Sequence, residues 1–463
     1  MKESNVKIAY IGGGSRGWAK IFMIDMAKEN AFTAEIALYD IDYNAAKMNE
    51  SIGNDLALRE DIVGKHKYVA VKTAKEALIG ADFVIMSIQP ATFTEMRSDV
   101  HTPEKYGIWQ PVGDSTGPGG IVRALRTIPV YAEYARLIAE YCPKAWVINY
   151  TNPMTICTKS LYKAFPEIKA FGCCHEVFTT QKMLARWLKE EEGIDAARSE
   201  IAIDVAGVNH FTWLSAAKYR NTDLYPLYKK YVDKYYESGW QFEEKGHWMN
   251  SVFGNCNRVK FDLFKRYGVI AAAGDRHLAE FCPRDWYLHS PEQIAMWKYS
   301  LTPVDYRIQD LKGRLERAER LFKREEKLEL CDTGEEGVEQ IKAILGIQEL
   351  ITNVNLPNVG QMPELQTGAV VETNAVFRGD SVVPVTAGKL PDAVMNLISR
   401  ISREQELVVD AAFACDYERV FDAFVNDPLV TIPVDKARKL YVEMLENTRA
   451  YIPNVEKYLA KHL

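Results

Sequence analysis

The stretch "IGGGSRGW" (11–18) constrains this chain more than any other. It follows the apolar run "VKIAYI" (6–11), precedes helically spaced residues, and sets Gly12, Gly14 and Gly17 in the pattern G-x-G-x-x-G. Glycine at 12 permits a tight turn, and at 14 it lets backbone approach a pyrophosphate. At 17 it allows close helix–strand packing, while the helix N-terminus behind the loop favours an anion. The second apolar run, "EIALYD" (35–40), ends in Asp40. A carboxylate there binds both ribose hydroxyls and repels a 2′-phosphate, so NAD is expected over NADP. Gly12, Gly14, Ser15, Gly17 and Asp40 are therefore the cofactor candidates.

Four more short apolar runs follow: "YVAVK" (68–72), "DFVIMS" (82–87), "AWVINY" (145–150) and "IKAFGC" (168–173). Helically spaced stretches such as Trp18–Asn30 and Arg123–Tyr141 lie between several of them. This alternation predicts an α/β fold whose N-terminal part is a Rossmann-type, doubly wound parallel sheet, with ligands at the carboxyl ends of the strands. Beyond it, 199–219 reads as two strands joined by a turn at 207–209, and 365–385 as strands with turns. The charged segments 307–330 and 335–346 read as solvated helix faces. From Pro391 onward the pattern is amphipathic helix. The expected division is residues 1–198 for the dinucleotide and 199–463 as a mixed α/β domain for substrate and metal.

At 463 residues the chain can bury more than one core, and its 47% hydrophobic and 26% charged composition is that of a globular protein. A net charge of −6 argues against nucleic acid or an acidic membrane as partner. No apolar run approaches the ~20 residues that span a bilayer, and the N-terminus has no secretory h-region. Eight irregularly spaced cysteines suggest a reducing, cytoplasmic compartment with free thiols.

The chemistry-bearing stretches lie near the strand ends. "AFGCCHEVF" (170–178) places Cys174 after the sixth strand, and "AGVNHF" (206–211) places His210 after a turn. Thiolate plus imidazole suits a divalent transition ion, and only two protein ligands would leave an open, catalytic shell. Cys173 is expected to point into the core. "NYTNPM" (149–154) reads either as a helix-capping turn or as Asn149 beside a nicotinamide with Asn152 on substrate hydroxyls. "GDSTGPGGIVRALRTIPV" (113–130) is a glycine-rich loop, without a P-loop lysine, whose titratable group is Asp114. "AGDRHLAEF" (273–281) gathers Asp275, His277 and Glu280, either for acid/base work or as an ordinary charge cluster.

In this order the motifs resemble glycoside hydrolase family 4, the NAD- and metal-dependent glycosidases. "DSTGPGG" followed by "LRTIP", "NYTNP", Cys-His after strand six, "GVNHFTW" and "LPNVGQMPELQTGAVVE" (355–371) carry the resemblance over about residues 5 to 440. It implies a lactate/malate-dehydrogenase-like fold overall and a metal, Mn or Ni, on Cys174 and His210. It implies substrate contacts from Asn152, with Arg97 a second candidate, and Asn149 by the cofactor. The base would be Asp275, with Tyr267 as the alternative, supported by Asp114. The residue after the metal cysteine, an acid in the phospho-glycosidases, is His175. The tetrad "CHEV" (174–177) resembles the α-galacturonidase group, which adds Glu176 to the substrate side. A uronide carboxylate would need cations, for which Arg276, Arg284 and Lys260 are available.

The activity so implied is hydrolysis of small pectin-derived α-galacturonides by oxidation at C3, elimination, water addition and reduction, departing from the usual two-carboxylate mechanism. An α-glucosidase or α-galactosidase of the same family is the near alternative. A 2-hydroxyacid dehydrogenase would share the dinucleotide half without needing a Cys–His pair, and a non-catalytic NAD sensor would have no use for a metal. A homo-oligomer, dimer or tetramer, is expected.

Overall fold

The computed structural model describes residues 5–242 and 246–462. Its first part comprises β1 (Asn5–Ile11), α1 (Trp18–Ala27), β2 (Thr33–Tyr39), α2 (Tyr43–Ala57), β3 (Lys67–Val71), α3 (Ala74–Leu78) and β4 (Phe83–Met86). α4 (Phe93–His101), α5 (Gly117–Tyr141), β5 (Trp146–Asn149), α6 (Met154–Ala164), β6 (Lys169–Gly172) and α7 (Glu176–Glu192) follow. Next come β7 (Ile201–Val208), β8 (Phe211–Tyr219), β9 (Thr222–Asp223), α8 (Tyr225–Tyr235), α9 (Arg258–Tyr267), β10 (Ile270–Ala271), α10 (Asp275–Phe281), α11 (Arg284–Tyr287) and α12 (Pro291–Met296). The chain closes with α13 (Val304–Phe322), α14 (Gly337–Ile344), β11 (Leu350–Pro357), β12 (Val370–Arg378), β13 (Ser381–Pro384), α15 (Asp392–Phe413), α16 (Tyr417–Asn426), α17 (Val434–Thr448) and α18 (Glu456–His462).

The first six strands are parallel in the order β3-β2-β1-β4-β5-β6. Ile8 of β1 stands opposite Ile36 on one side and Phe83 on the other, so the sheet centre is apolar on both faces. The strand order reverses between β1 and β4, which opens a crevice at their carboxyl ends. Gly12 and Ser87 flank it, and Ser87 N–H donates to the carbonyl of Ile11.

The sheet continues past β6. β11 pairs antiparallel with β6 through Asn355 and Gly172, and β12, β7, β8 and β10 extend it, with β13 on β12 and β9 on β8. The two halves thus share one 13-stranded sheet instead of packing as separate layers. Gly172 makes the junction feasible: a Cβ there would lie 2.7 Å from Met154 Cγ and 3.0 Å from Asn355 Cβ.

Three elements differ from the sequence expectation, each for a physical reason. β11 reads poorly as a strand because it carries Thr352, Asn353 and Asn355, and asparagine is depleted in strands; here all three are buried. α5 starts at Gly117, inside the glycine-rich loop, because the loop packs too closely for side chains. A Cβ on Gly119 would meet Asp99 O at 2.8 Å, and one on Gly120 would meet Ser115 C at 2.7 Å. α13 is solvated as its charge suggests, but α14 is not: Val338, Ile341, Ala343 and Ile344 are buried in the core formed with α1 and the strands. The β7–β8 turn falls at Asn209 and His210, with His210 in the left-handed region at φ 65°.

α4 and α5 are locked by a buried ion pair, Asp99 with Arg126, at 0% and 2% side-chain exposure. Removing one partner strands the other charge away from water. Asp99→Ala should therefore cost about 3–5 kcal/mol in urea unfolding, and a loss under about 1 kcal/mol, the range of exposed pairs, would contradict this packing.

Candidate active site

A cavity of about 740 Å³ opens at the β1–β4 crevice. Gly12, Gly14, Ser15 and Asp40 form one end, and Asp114 and Asn152 the other. Gly12 lies at φ 94°, and a Cβ there would sit 2.1 Å from Ser87 O, so no other residue fits. Gly14 N–H donates to Asp40 Oδ2 at 2.9 Å and Asp42 N–H to Oδ1 at 2.9 Å, which fixes the carboxylate at the cavity rim. Size, bare backbone and a rim carboxylate together suit a dinucleotide.

Past Asn152 the cavity reaches a cluster built by several elements. The loop before α5 supplies Asp114 and Ser115, the β7–β8 turn supplies His210, and α10 supplies His277. Donor atoms of Asp114, His210 and His277 lie within 4.8 Å of one another. Ser115 Oγ donates to Asp114 Oδ1 at 2.8 Å and lies 3.0 Å from His210 Nδ1. The hydroxyl has one proton and gives it to Asp114, so it accepts from His210 Nδ1–H. That tautomer leaves His210 Nε2 with a bare lone pair. Burial, then the His277 imidazole, lowers the His210 pKa to about 4, so the ring is neutral at pH 7. The two rings lie 3.8 Å apart.

Asp114 is buried, which alone would raise its pKa. The His210 and His277 rings and Arg123 outweigh that, and its carboxyl stays well below the usual range. Its Oδ2 accepts from Asn152 Nδ2 at 3.1 Å, joining the cluster to the dinucleotide cavity. Glu176 accepts from Gly274 N–H at 3.2 Å and lies 3.6 Å from His277 Nε2. Burial pushes its carboxyl up, but His277 and His210 bring it down to about 2.

Among the described residues Cys174 lies outside the group of donor atoms within 4.8 Å of one another, but it is buried beside the same turn. Its thiol is held by the Asn209 amide, and both Glu372 and Glu176 act electrostatically on this thiol and on the His210 ring. Burial, then Glu372, raises the thiol pKa. Glu372 is itself buried, accepting from Asn209 Nδ2 at 3.1 Å and Asn353 Nδ2 at 2.7 Å, with no cation paired to it among the described residues. Asn152 Oδ1, Asn209 Oδ1 and His277 Nδ1 are buried without partners. Thiol, imidazole and carboxylate donors around unmatched negative charge fit a divalent transition ion.

Other expected residues lie elsewhere. Asp275 is fully buried, and its carboxylate caps α9, accepting from the backbone N–H groups of Arg258, Val259 and Lys260. Burial raises its pKa to about 6, yet none of these partners belongs to the cluster; the residue of α10 that faces the cluster is His277. Tyr267 packs edge-on against Trp213 instead. Asn149 is consumed by the turn: it accepts from Tyr131 Oη and Thr151 N–H and donates to Thr151 O, with no face on the cavity. Gly17 is the N-cap of α1, outside the cavity lining. Arg97 pairs with Asp305 at an exposed position. His175 caps α7 and pairs with Glu335 at 2.8 Å, with its ring 6.1 Å from that of Trp18. Burial opposes its charge, but Glu335 prevails and raises the pKa. Cys173 is buried in the core, as expected.

Sequence reasoning missed Ser115, Asn209, Asn353 and Glu372, and left His277 among a cluster without a role. The available signal was polar residues inside apolar strand runs: "TNVN" in β11 and "VVETN" in β12. Among the described residues all eight cysteines are free, and no helix is long and apolar enough to cross a membrane.

The sequence profile of the family 4 glycosyl hydrolases matches residues 7–190, and that of their C-terminal domain matches residues 205–430. The α-galacturonidase of Thermoanaerobacterium saccharolyticum is 59% identical over 452 residues, 97% of each chain. The crystal structure of a Bacillus subtilis protein assigned as a glucosidase superposes with a TM-score of 0.91 at 48% identity, covering 96% of this chain and 100% of that one. The Thermotoga maritima 6-phospho-β-glucosidase, in a structure with manganese, NAD⁺ and glucose-6-phosphate, shares the fold at a TM-score of 0.76 and 20% identity, covering 96% and 99%.

Cys174→Ser and His210→Asn should each weaken Mn²⁺ binding by at least about tenfold, measured by calorimetry, with the unfolding midpoint retained. Asparagine is chosen at 210 because it tolerates the left-handed turn. Wild-type Mn²⁺ affinity in either variant would show that the ion binds elsewhere.

Proposed function

Because this chain belongs to the family 4 glycosyl hydrolases, we infer that it cleaves α-galacturonides of small pectin-derived oligosaccharides, using NAD and a divalent ion, Mn or Ni. The observation that carries this reading is the junction at Asp114 and Asn152, where a dinucleotide-sized cavity meets the imidazole–carboxylate cluster of Asp114, His210 and His277. The similarity to an α-galacturonidase across 97% of both chains supports the substrate, and the manganese and NAD⁺ in the T. maritima structure support the cofactors.

When bound, NAD⁺ would remove and return a hydride at C3 of the sugar, while the ion would act as Lewis acid towards the oxygens on C2 and C3. Cys174 and His210 are the residues to hold the ion, His210 through its bare Nε2. Asn152, tied to Asp114, would read sugar hydroxyls at the cofactor end. His277, with Glu176 3.6 Å behind its Nε2, takes the proton from C2. That is the role sequence reasoning gives Asp275, whose carboxylate is engaged at α9. Loss of the C2 proton expels the aglycone from C1, and water then adds. Each turnover leaves the nucleotide as it began.

In this reading residues 1–198 bind NAD and residues 199–463 supply most of the substrate and metal side. The enzyme would work in the reducing cytoplasm, where Cys174 stays a thiol, and as a homo-oligomer, dimer or tetramer.

With Mn²⁺, NAD⁺ and a reductant, 4-nitrophenyl α-galacturonide should be hydrolysed with kcat/KM at least about tenfold above the matching α-galactoside and α-glucoside. NADH should never exceed the enzyme present. Higher efficiency on the galactoside would overturn the substrate, and NADH accumulating in step with product would mark a dehydrogenase.

A further inference from the structure

Most cations near the cavity and the cluster already have partners. Arg126 is neutralised by Asp99, and Arg284 pairs with Asp285. Lys260 is fully buried beside Asp275 and donates to Thr180 Oγ1 at 2.7 Å. Three arginines remain that form no ion pair among the described residues: Arg123, Arg276 and Arg307.

Their placement is specific. Arg123 of α5 lines the cavity with Asp114 and Asn152, and its Nε donates to the Asn152 carbonyl at 3.3 Å, leaving both Nη groups without an acceptor. Arg276 lies next to His277 in the chain. Its Nε donates to Ser300 O at 3.0 Å, and its Nη2 to Pro111 O at 2.8 Å and to Thr302 Oγ1, which leaves Nη1 free. Arg307 stands in the first turn of α13, just beyond the Thr302 that Arg276 grips, and donates to no group among the described residues. Arg307 opposes the charge of both others: on Arg123 after burial, Asp114, Arg126 and Asp99, and on Arg276 after burial and Glu280. Arg123 beside Asp114 and Arg276 on Pro111 flank one loop, with Arg307 a turn beyond Thr302; guanidinia with spare donors and no ion pair gain from an added anion, and a planar carboxylate matches their fork geometry.

We propose that Arg123, Arg276 and Arg307 form the subsite that receives the carboxylate of the sugar, and so set the preference for uronides over neutral glycosides. This rests on the galacturonide reading above. The dinucleotide pyrophosphate is another anion of similar demand, but its place is the glycine loop at the opposite end of the cavity.

The test uses the holoenzyme with Mn²⁺ and NAD⁺ and compares wild type with Arg307→Gln and Arg123→Gln. Arg276 is left alone because it ties α10 to the loops at Pro111 and at 300–302. Free galacturonate should bind wild type at least about tenfold more tightly than galactose by calorimetry, and each variant should lose about tenfold of that preference. For turnover of 4-nitrophenyl α-galacturonide the loss should fall mainly on KM. Arginine variants that keep the wild-type preference while cleaving galacturonides would overturn the subsite and leave the galacturonide reading standing. Galacturonate held through the arginines, without cleavage of galacturonides, would do the reverse. A tenfold loss of NAD⁺ affinity with sugar preference intact would assign the cluster to the pyrophosphate and overturn the proposal.

Discussion

Charge withdrawn from water with few counter-charges, Glu372 above all, is the constraint around which this site is organised. On one side Glu176, Glu372 and Asp114 surround two imidazoles and a thiol; Glu372 is served only by asparagine amides. On the other side three arginines carry no paired carboxylate. Desolvated groups of one sign cost several kcal/mol each unless matched. The two halves partly compensate each other, through Arg123 on Asp114 and His277 on Glu176, and in the reading given above a cation on one side and an anion on the other complete the balance. The dinucleotide cavity abuts them at Asp114 and Asn152. The fold serves this arrangement: strand ends β1 and β4 open the crevice, the β7–β8 turn delivers His210 in a strained left-handed conformation, and β11 threads its asparagines beneath Cys174 and Glu372.

Much of this was legible in the sequence because it rests on local rules. The glycine loop and the six parallel strands follow from turn chemistry and alternation, and His210 of the donor cluster was singled out by its turn. What was not legible depends on tertiary placement. Asp275 and His277 sit two residues apart on one short helix, and only the position of the α9 N-terminus decides which carries a cap and which faces the cluster. Asn149 and Asn152 bracket one turn, yet the first folds its amide back onto Thr151 while the second reaches Asp114. β11 escaped recognition because its site-serving asparagines break strand propensity. The charge of α14 hides a mainly apolar inner face, Val338, Ile341, Ala343 and Ile344 with Gln340 among them.

The same geometry weighs against the rival functions. A 2-hydroxyacid dehydrogenase needs the dinucleotide cavity and one histidine, but not a buried thiol, two carboxylates and a second imidazole around it. A sensor of NAD alone would gain nothing from Glu372, whose carboxylate is desolvated without a protein cation. An elimination route uses each part: an electrophile at one end, a base oriented by a carboxylate, and a hydride acceptor alongside.

The central claim is that the glycosidic bond breaks by removal of the proton at C2. The most direct measurement is turnover in D₂O with Mn²⁺ and NAD⁺, followed by NMR of the released sugar. A base such as His277 exchanges its proton with solvent before returning it, so the product should carry deuterium at C2. Product with only protium at C2 would contradict the elimination route and the role given to His277.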